Sequence, residues 1–174
     1  MMVRRTVLQG LVLTLLLWAL GTASVRAQGI ELALLETHRQ DGELLLDFDA
    51  RVTLPRGVED ALQRGVPVYF VAEATLFRAR WYWRDERLAR VQRSWRVGFG
   101  GFNQSFQTLG EALTAASRST RWKVAELSQL DPDAREYLEF SYRLDSSQLP
   151  SPMQLGLGSQ AEWVLGVERT LRLD

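Results

Sequence analysis

Three carboxylates on one predicted strand are the residues whose spacing first suggests chemistry. Glu43, Asp47 and Asp49 occupy odd positions of a segment whose even positions are apolar, so they share one face. Paired carboxylates can act as acid and base in glycoside hydrolysis, or bind Ca²⁺. The segment has no calcium-binding loop pattern, and this face is expected to be solvated. The favoured interpretation is a charged outer face that deters aggregation.

Nucleophilic or metal chemistry would depend on very few residues. His38 is the only histidine, there is no cysteine, and no Gly-x-Ser-x-Gly sequence is present. A Ser-His triad would need His38, and a zinc site needs three or four ligands. The glycines around Phe99 are not followed by the Lys-Ser/Thr pair of a phosphate-binding loop. We predict a protein that is not an enzyme, with no catalytic residue, no metal and no cofactor.

The segment Arg78–Val97 has the most unusual charge. It contains seven arginines, two acidic residues and four large aromatic residues, with a formal charge of +5. The first 27 residues contain three arginines and no acid, so the rest of the chain has 18 basic and 21 acidic residues, a net charge of −3. A basic segment on an otherwise acidic protein predicts a surface for an acidic partner.

Alternation predicts that this segment forms a β-hairpin with two different faces. One face is the hypothetical binding site, and its residues are Arg78, Arg80, Tyr82, Arg90 and Arg96. The opposite face is expected to point into the core, with Phe77, Trp81, Val91, Trp95 and Val97. Proteins that bind single-stranded nucleic acid need aromatic and cationic side chains on the same face, so this sorting argues against nucleic acid.

The expected partner of the arginine face is an acidic protein or an anionic membrane surface. The alternative is a solvated face whose arginine stems only cover apolar neighbours. The sequence leaves both open.

Period-two alternation predicts strands over most of the chain, and two segments have helical spacing. The predicted strands are Ile30–His38, Glu43–Val52, Val66–Trp83, Leu88–Phe99, Thr120–Leu127, Glu136–Asp145 and Glu162–Leu171. Residues 54–65 and 108–117 are the predicted short helices. Alternation with one polar face favours antiparallel sheets. We therefore expect a mainly β protein, an antiparallel immunoglobulin-like β-sandwich of about seven strands with two short helices, in a single domain over residues 28–174.

Residues 1–27 have the three parts of a secretory signal peptide. Met1–Arg5 is positively charged, an apolar run extends from Thr6 to Leu20, and compact residues up to Ala27 form a cleavage site. The apolar run is shorter than the roughly 20 residues that span a bilayer, which favours cleavage. We expect a periplasmic protein; the alternative is retention at the inner membrane by an uncleaved segment.

Several short stretches together form a specific pattern, although no single stretch is specific. They are Val66–Phe70, Arg80–Trp83 with Asp85 and Glu86, Ser105–Leu113, Tyr142–Asp145 with Leu149–Pro152, and Glu162 with Trp163. In this pattern, most of Ile30–Leu171 resembles domain-of-unknown-function family 4390, a bacterial family. One departure is that Val97 leads almost directly to Ser105, where the family has a further aromatic and basic segment.

The resemblance implies an exported proteobacterial protein with no assigned activity or catalytic residues. It also implies a link to a membrane sensor kinase of the nitrogen-regulation type, because family members are often encoded near one. We therefore expect a protein-interaction module of the bacterial envelope. The alternative is a lipid- or glycan-binding envelope module that uses the arginine face.

Overall fold

A computed structural model of the chain describes residues 29–98, 108–149 and 163–173. The predicted signal peptide lies outside the described residues, as do the glycine-rich segment after Gly98 and most of the loop after Gln148. Within the described ranges, no helix is long and apolar enough to cross a membrane.

In the described residues, seven antiparallel strands form two sheets, which confirms the predicted mainly β sandwich. The strands are β1 (Gly29–Gln40), β2 (Glu43–Thr53), β3 (Val68–Arg78), β4 (Glu86–Val97), β5 (Arg118–Glu126), β6 (Glu136–Leu144) and β7 (Gly166–Leu173). One sheet has the order β1-β2-β5, and the other has the order β4-β3-β6-β7. In constant-type immunoglobulin domains the fourth strand joins the sheet of the first, second and fifth strands. Here β4 pairs with β3 instead, which makes the Arg-rich segment half of a long hairpin at a sheet edge.

The β1–β2 hairpin turns at an Asp-Gly pair. Asp41 and Gly42 both have positive φ, 54° and 80°, and Gln40 pairs with Glu43 across them. Such two-residue turns match the right-handed twist of the strands that they join.

Both predicted helices are present, and their ends differ from the expected ones by one or two residues. Helix α1 (Arg56–Gln63) buries Val58, Ala61 and Leu62, whose spacing is that of one helical face. Helix α2 (Leu109–Ala116) begins after Thr108, whose side chain accepts a hydrogen bond from the Glu111 N–H at 3.2 Å.

The core lies between the sheets and is centred on an aromatic cluster. Phe48 of β2 contacts the rings of Trp95, Phe140 and Tyr142, at centroid distances of 5.9, 5.0 and 5.6 Å. The buried Tyr142 hydroxyl donates a hydrogen bond to the Ala116 carbonyl at 2.9 Å, which ties β6 to the end of α2. Its burial raises the pKa of Tyr142 well above the ordinary tyrosine value.

Strand β3 differs from the sequence prediction in phase and in length. Its even positions from Val68 to Leu76 face the core, so Phe77 lies on the opposite side and stacks on Tyr137. The prediction failed because β3 has buried residues at odd positions, such as Val71 and Thr75, as well as at even ones, so alternation does not define one phase. On β4, the expectation for Val91, Trp95 and Val97 is confirmed: all three pack in or against the core.

The last strand is shorter than expected. Trp163 and Leu165 are buried, but β7 begins only at Gly166, four residues after the predicted start at Glu162. Before that point the chain is held by the Leu144 N–H, which donates to the Leu165 carbonyl at 2.9 Å.

Candidate functional site

Three consecutive aromatic residues are exposed in the loop between β3 and β4. We call Trp81, Tyr82 and Trp83 the aromatic tip; their exposed fractions are 93, 65 and 74%. The rings of Trp81 and Tyr82 meet edge to face, with centroids 5.2 Å apart. Large aromatic side chains usually bury most of their area in cores or interfaces, so this exposed group is the most unusual surface feature of the described chain.

The prediction that Trp81 points into the core is therefore wrong, and the reason is the length of the sheet. Strand β6 begins at Glu136, which pairs with Arg78, and the Ala79 N–H donates to the Arg135 carbonyl at 2.8 Å. Beyond this row β3 has no neighbour to pair with, so the chain leaves the sheet before Trp81.

Arg78 lies at the base of the hairpin tip and faces the inner side of the sheet. Its Nε and Nη2 atoms donate to Oε1 of Glu136 at 3.0 and 2.9 Å, and Nη2 also donates to the Gln129 carbonyl at 2.9 Å. The Asp131 N–H donates to the same Glu136 oxygen at 3.1 Å. Because Glu136 is buried, Arg78 serves to neutralise an internal carboxylate, and it is not on the outer arginine face where it was predicted.

The two acids of the loop are also engaged. Arg80 Nη2 donates to Glu86 Oε2 at 2.6 Å. Asp85 accepts hydrogen bonds from the Tyr137 hydroxyl at 2.6 Å and from the Arg80 N–H at 3.1 Å. The Tyr137 bond, with a smaller contribution from the Arg80 N–H, lowers the pKa of Asp85. The same bond to Asp85, together with burial, raises the pKa of Tyr137 to about 12. These bonds hold both ends of the loop in place.

Arg90 and Arg96 lie on the outer face of β4, as predicted. Arg90 pairs with Glu73 at 2.7 Å, whereas Arg96 stands opposite Tyr69. The five predicted site residues therefore occupy three places: Arg78 inside, Arg80 and Tyr82 in the loop, and Arg90 and Arg96 on the sheet. The structure does not bring them together on one face.

Two further arginines near the aromatic tip could pair with an acidic partner. Arg84 follows Trp83 directly, and Arg87 begins the exposed side of β4. Within the part of the chain that the structure describes, no ion pair involves either residue, whereas the nearby acids Glu86 and Glu136 are already paired.

The aromatic tip is exposed and stands apart from the cavity at this end of the sandwich. A cavity of about 1080 Å³ opens at this end of the sandwich, and Ala79, Leu130, Arg135 and Arg172 are among its lining residues. None of the three aromatic residues of the tip lines it. The exposed apolar area of the tip is therefore separate from this cavity.

The carboxylates that first suggested chemistry are each paired. Asp49 accepts from Arg118 at 2.6 Å, Asp47 accepts from the Arg121 N–H at 2.6 Å, and Glu43 accepts from Lys123 at 2.7 Å. His38 Nε2 lies 3.4 Å from Asp47 Oδ2. Among the described residues, no group of three or more His, Cys, Asp or Glu side chains could hold a metal ion.

Comparison with known families gives a match over nearly the whole chain. The family model described as a domain of unknown function, DUF4390, matches residues 27–172. The chain belongs to the DUF4390 family. This confirms the resemblance that the sequence motifs indicated. No curated protein and no solved structure matches this DUF4390 chain.

Sequence reasoning placed only Tyr82 of the aromatic tip on an exposed face, and the DUF4390 sequence contains only a partial signal for Trp81 and Trp83. Neighbouring side chains of a strand point to opposite sides, so a strand can hold three consecutive aromatic residues when both of its faces are covered. The Asp85-Glu86 pair that follows is typical of a turn. These features place a turn close to Trp83 but do not show where the strand before it ends.

Proposed function

We propose that this DUF4390 chain is an exported, non-enzymatic interaction module of the bacterial cell envelope, and that the aromatic tip is its contact surface. The observation that carries the proposal is the exposure of three neighbouring aromatic side chains on one loop. Trp, Tyr and Arg are the residue types that contribute most to binding energy at contact surfaces.

The base of the loop supports a binding role. Asp85 is bonded to Tyr137 and Arg80 is bonded to Glu86, so the loop ends are fixed before any partner arrives. A loop that is already ordered loses less conformational entropy on binding than a flexible one. The arrangement therefore favours contact through the tip over contact through the separate arginines of the sheet.

Export is supported by the composition of the N-terminus. The positive start, the short apolar run and the compact residues before Gln28 are typical of a signal peptide. We propose a periplasmic location, with retention at the inner membrane through an uncleaved segment as the alternative. The non-enzymatic role is supported by the engagement of Glu43, Asp47 and Asp49 in hydrogen bonds with basic or backbone partners.

The partner is proposed to be acidic, because Arg84 and Arg87 border the aromatic tip. An acidic envelope protein, such as the membrane sensor kinase that the family resemblance suggests, would supply this chemistry, as would an anionic membrane surface. Nucleic acid is not proposed as a partner, since export would remove the chain from it.

A glycan is the second candidate, because the exposed Trp81 and Trp83 rings could pack against the apolar faces of sugars. Binding to neutral polysaccharide would not depend on salt, whereas binding to an acidic partner would weaken as salt is added. This difference separates the two candidates.

Photo-crosslinking in living cells tests the proposed contact surface. A photoreactive amino acid replaces Tyr82 in one variant and Arg96 in a matched control on the outer sheet face. We expect adducts from position 82 and few from position 96. Adducts from position 96 alone, or none from position 82, would contradict the assignment of the tip as the contact surface.

A further inference from the structure

We propose that the partner of the aromatic tip is the anionic surface of a phospholipid bilayer, into whose headgroup region Trp81, Tyr82 and Trp83 insert. The inference rests on the proposed function, because it names the partner of the same site. It makes the chain a peripheral membrane protein that attaches through one hairpin loop.

The residue types fit a membrane interface. Trp and Tyr are the residues enriched where membrane meets water, because their rings are apolar and their N–H or O–H groups can still be hydrated. All three members of the tip are of these two types, and each is mostly exposed. A tip for the hydrocarbon interior would instead contain residues such as Leu or Ile.

The shape of the tip also favours a membrane over a protein. A stable protein interface buries about 800 Å² on each partner and uses roughly 20–30 residues on each side. Among the described residues, the exposed aromatic side chains are these three consecutive ones, and none of them lines the cavity beside Ala79. A bilayer accepts such a projection without a complementary pocket.

The charge distribution supplies affinity and orientation. Arg84 and Arg87 stand beside the tip without an ion pair among the described residues, while Glu86 is paired with Arg80. Residues 78–97 carry +5, and the chain after residue 27 carries −3 in total, so the remainder is close to −8. An anionic surface therefore attracts the hairpin and repels the rest of the domain, which turns the tip toward the lipid.

Vesicle binding tests the inference with the chain isolated from a host that exports it. All variants are compared with the same N-terminus, verified by mass spectrometry, so that any contribution of residues 1–27 is common to all. The probes are vesicles of phosphatidylethanolamine with phosphatidylglycerol, and vesicles of phosphatidylcholine alone. We expect binding to the anionic vesicles only, and we expect it to weaken as salt is added.

Two sets of substitutions separate the contributions of the aromatic side chains and the charges. The triple variant Trp81→Ala, Tyr82→Ala, Trp83→Ala should lose at least about a hundredfold in affinity, because three interfacial side chains no longer insert. The double variant Arg84→Gln, Arg87→Gln should lose about 25-fold, or about fivefold for each charge near the surface. The matched control Arg56→Gln, Arg64→Gln removes the same charge outside the hairpin and should lose less than about twofold.

Fluorescence reports insertion directly. Emission from Trp81 and Trp83 should shift to shorter wavelength on anionic vesicles and be quenched by brominated lipid. In the chain that starts at Gln28, and so lacks Trp18, the variant Trp81→Phe, Trp83→Phe should lose most of this quenching, because Trp122 and Trp163 are buried and Trp95 packs against the core. The melting temperature of each variant serves as the folding control, and it should not change because the substituted side chains are exposed.

The outcomes separate failure of this inference from failure of the proposed function. No binding to anionic vesicles, or binding that is indifferent to salt or to the triple substitution, overturns the membrane inference. If position 82 then crosslinks to one envelope protein, the interaction role stands with a protein partner. If position 82 gives no adduct either, both proposals fall.

Discussion

Replacing Arg78 with Leu should destabilise the domain far more than replacing an arginine of the sheet face. The Arg78 guanidinium donates twice to Glu136, at 3.0 and 2.9 Å, and once to the Gln129 carbonyl. The Glu136 side chain is only 3% exposed, whereas the Arg78 side chain is 25% exposed. The substitution therefore leaves a buried carboxylate without its counter-charge.

The expected cost follows from this geometry. Removing one partner of a buried ion pair costs about 3–5 kcal/mol. The effect should lie near the lower end here, because Arg78 is partly hydrated and the Asp131 N–H still donates to Glu136. We predict a loss of about 3 kcal/mol in the free energy of unfolding, and a melting temperature lower by about 10 °C. The control Arg90→Leu breaks an exposed pair with Glu73 and should cost less than about 1 kcal/mol.

Urea unfolding followed by far-ultraviolet circular dichroism measures both variants. The double variant Arg78→Leu, Glu136→Leu should recover most of the loss, since it removes the stranded carboxylate together with its partner. If Arg78→Leu costs no more than Arg90→Leu, the assignment of Arg78 to a structural role is refuted, and Arg78 returns to the set of candidate binding residues.

Three further predictions concern the core, the loop base and export. Tyr142→Phe should cost about 1–2 kcal/mol in urea unfolding, because it leaves the buried Ala116 carbonyl without its donor. Tyr137→Phe should lower the melting temperature by a constant amount between about pH 5 and pH 9. That difference should shrink as the pH falls below the ordinary Asp pKa near 4. The pKa of Asp85 is lowered in the folded protein, so its ionised carboxylate stabilises the fold above that pH. This stabilisation is lost when the carboxylate is protonated. Mass spectrometry of the exported chain should show cleavage after Ala27.

Each of these predictions has an outcome that contradicts it. An unchanged unfolding curve for Tyr142→Phe would mean that the carbonyl of Ala116 finds another donor. A melting difference for Tyr137→Phe that persists at low pH would show that the contribution of this phenol does not depend on the charge of Asp85. A mass that includes residues 1–27 would favour the membrane-retained alternative over cleavage.

Most of the fold could be predicted from local patterns of apolar and polar residues. Such patterns identify a strand or helix wherever one of its faces is buried and the other is exposed to solvent. Strand β2 alternates from Leu46 to Ala50, the Asp41-Gly42 turn sets its hairpin, and α1 buries the three residues whose spacing is helical. Strand β3 could not be phased in this way, because apolar residues stand at both its odd and its even positions and some of each are buried. Its end depends on where β6 begins, which is information that the hairpin sequence does not contain.

The candidate site was predictable only in part, because the position of an arginine side chain can depend on a partner that is distant in sequence. Arg78 and Glu136 are 58 positions apart in sequence, yet their pairing moves Arg78 from the outer face to the interior. Arg90 and Arg96 could be placed by alternation, because β4 is an edge strand with one wet face. The run of three aromatic residues did not by itself indicate a loop, because a strand whose two faces are both covered can hold aromatic side chains on both sides.

Site-specific labelling tests the central claim most directly, namely that the aromatic tip is the contact surface. The chain has no cysteine, so one introduced cysteine labels a single position. An environment-sensitive fluorophore is attached at Tyr82→Cys, or at Ser94→Cys on the outer face of β4, and each protein is mixed with isolated envelope membranes. We predict a shift to a less polar environment at position 82 and little change at position 94. A shift at position 94 with none at position 82 would contradict the account.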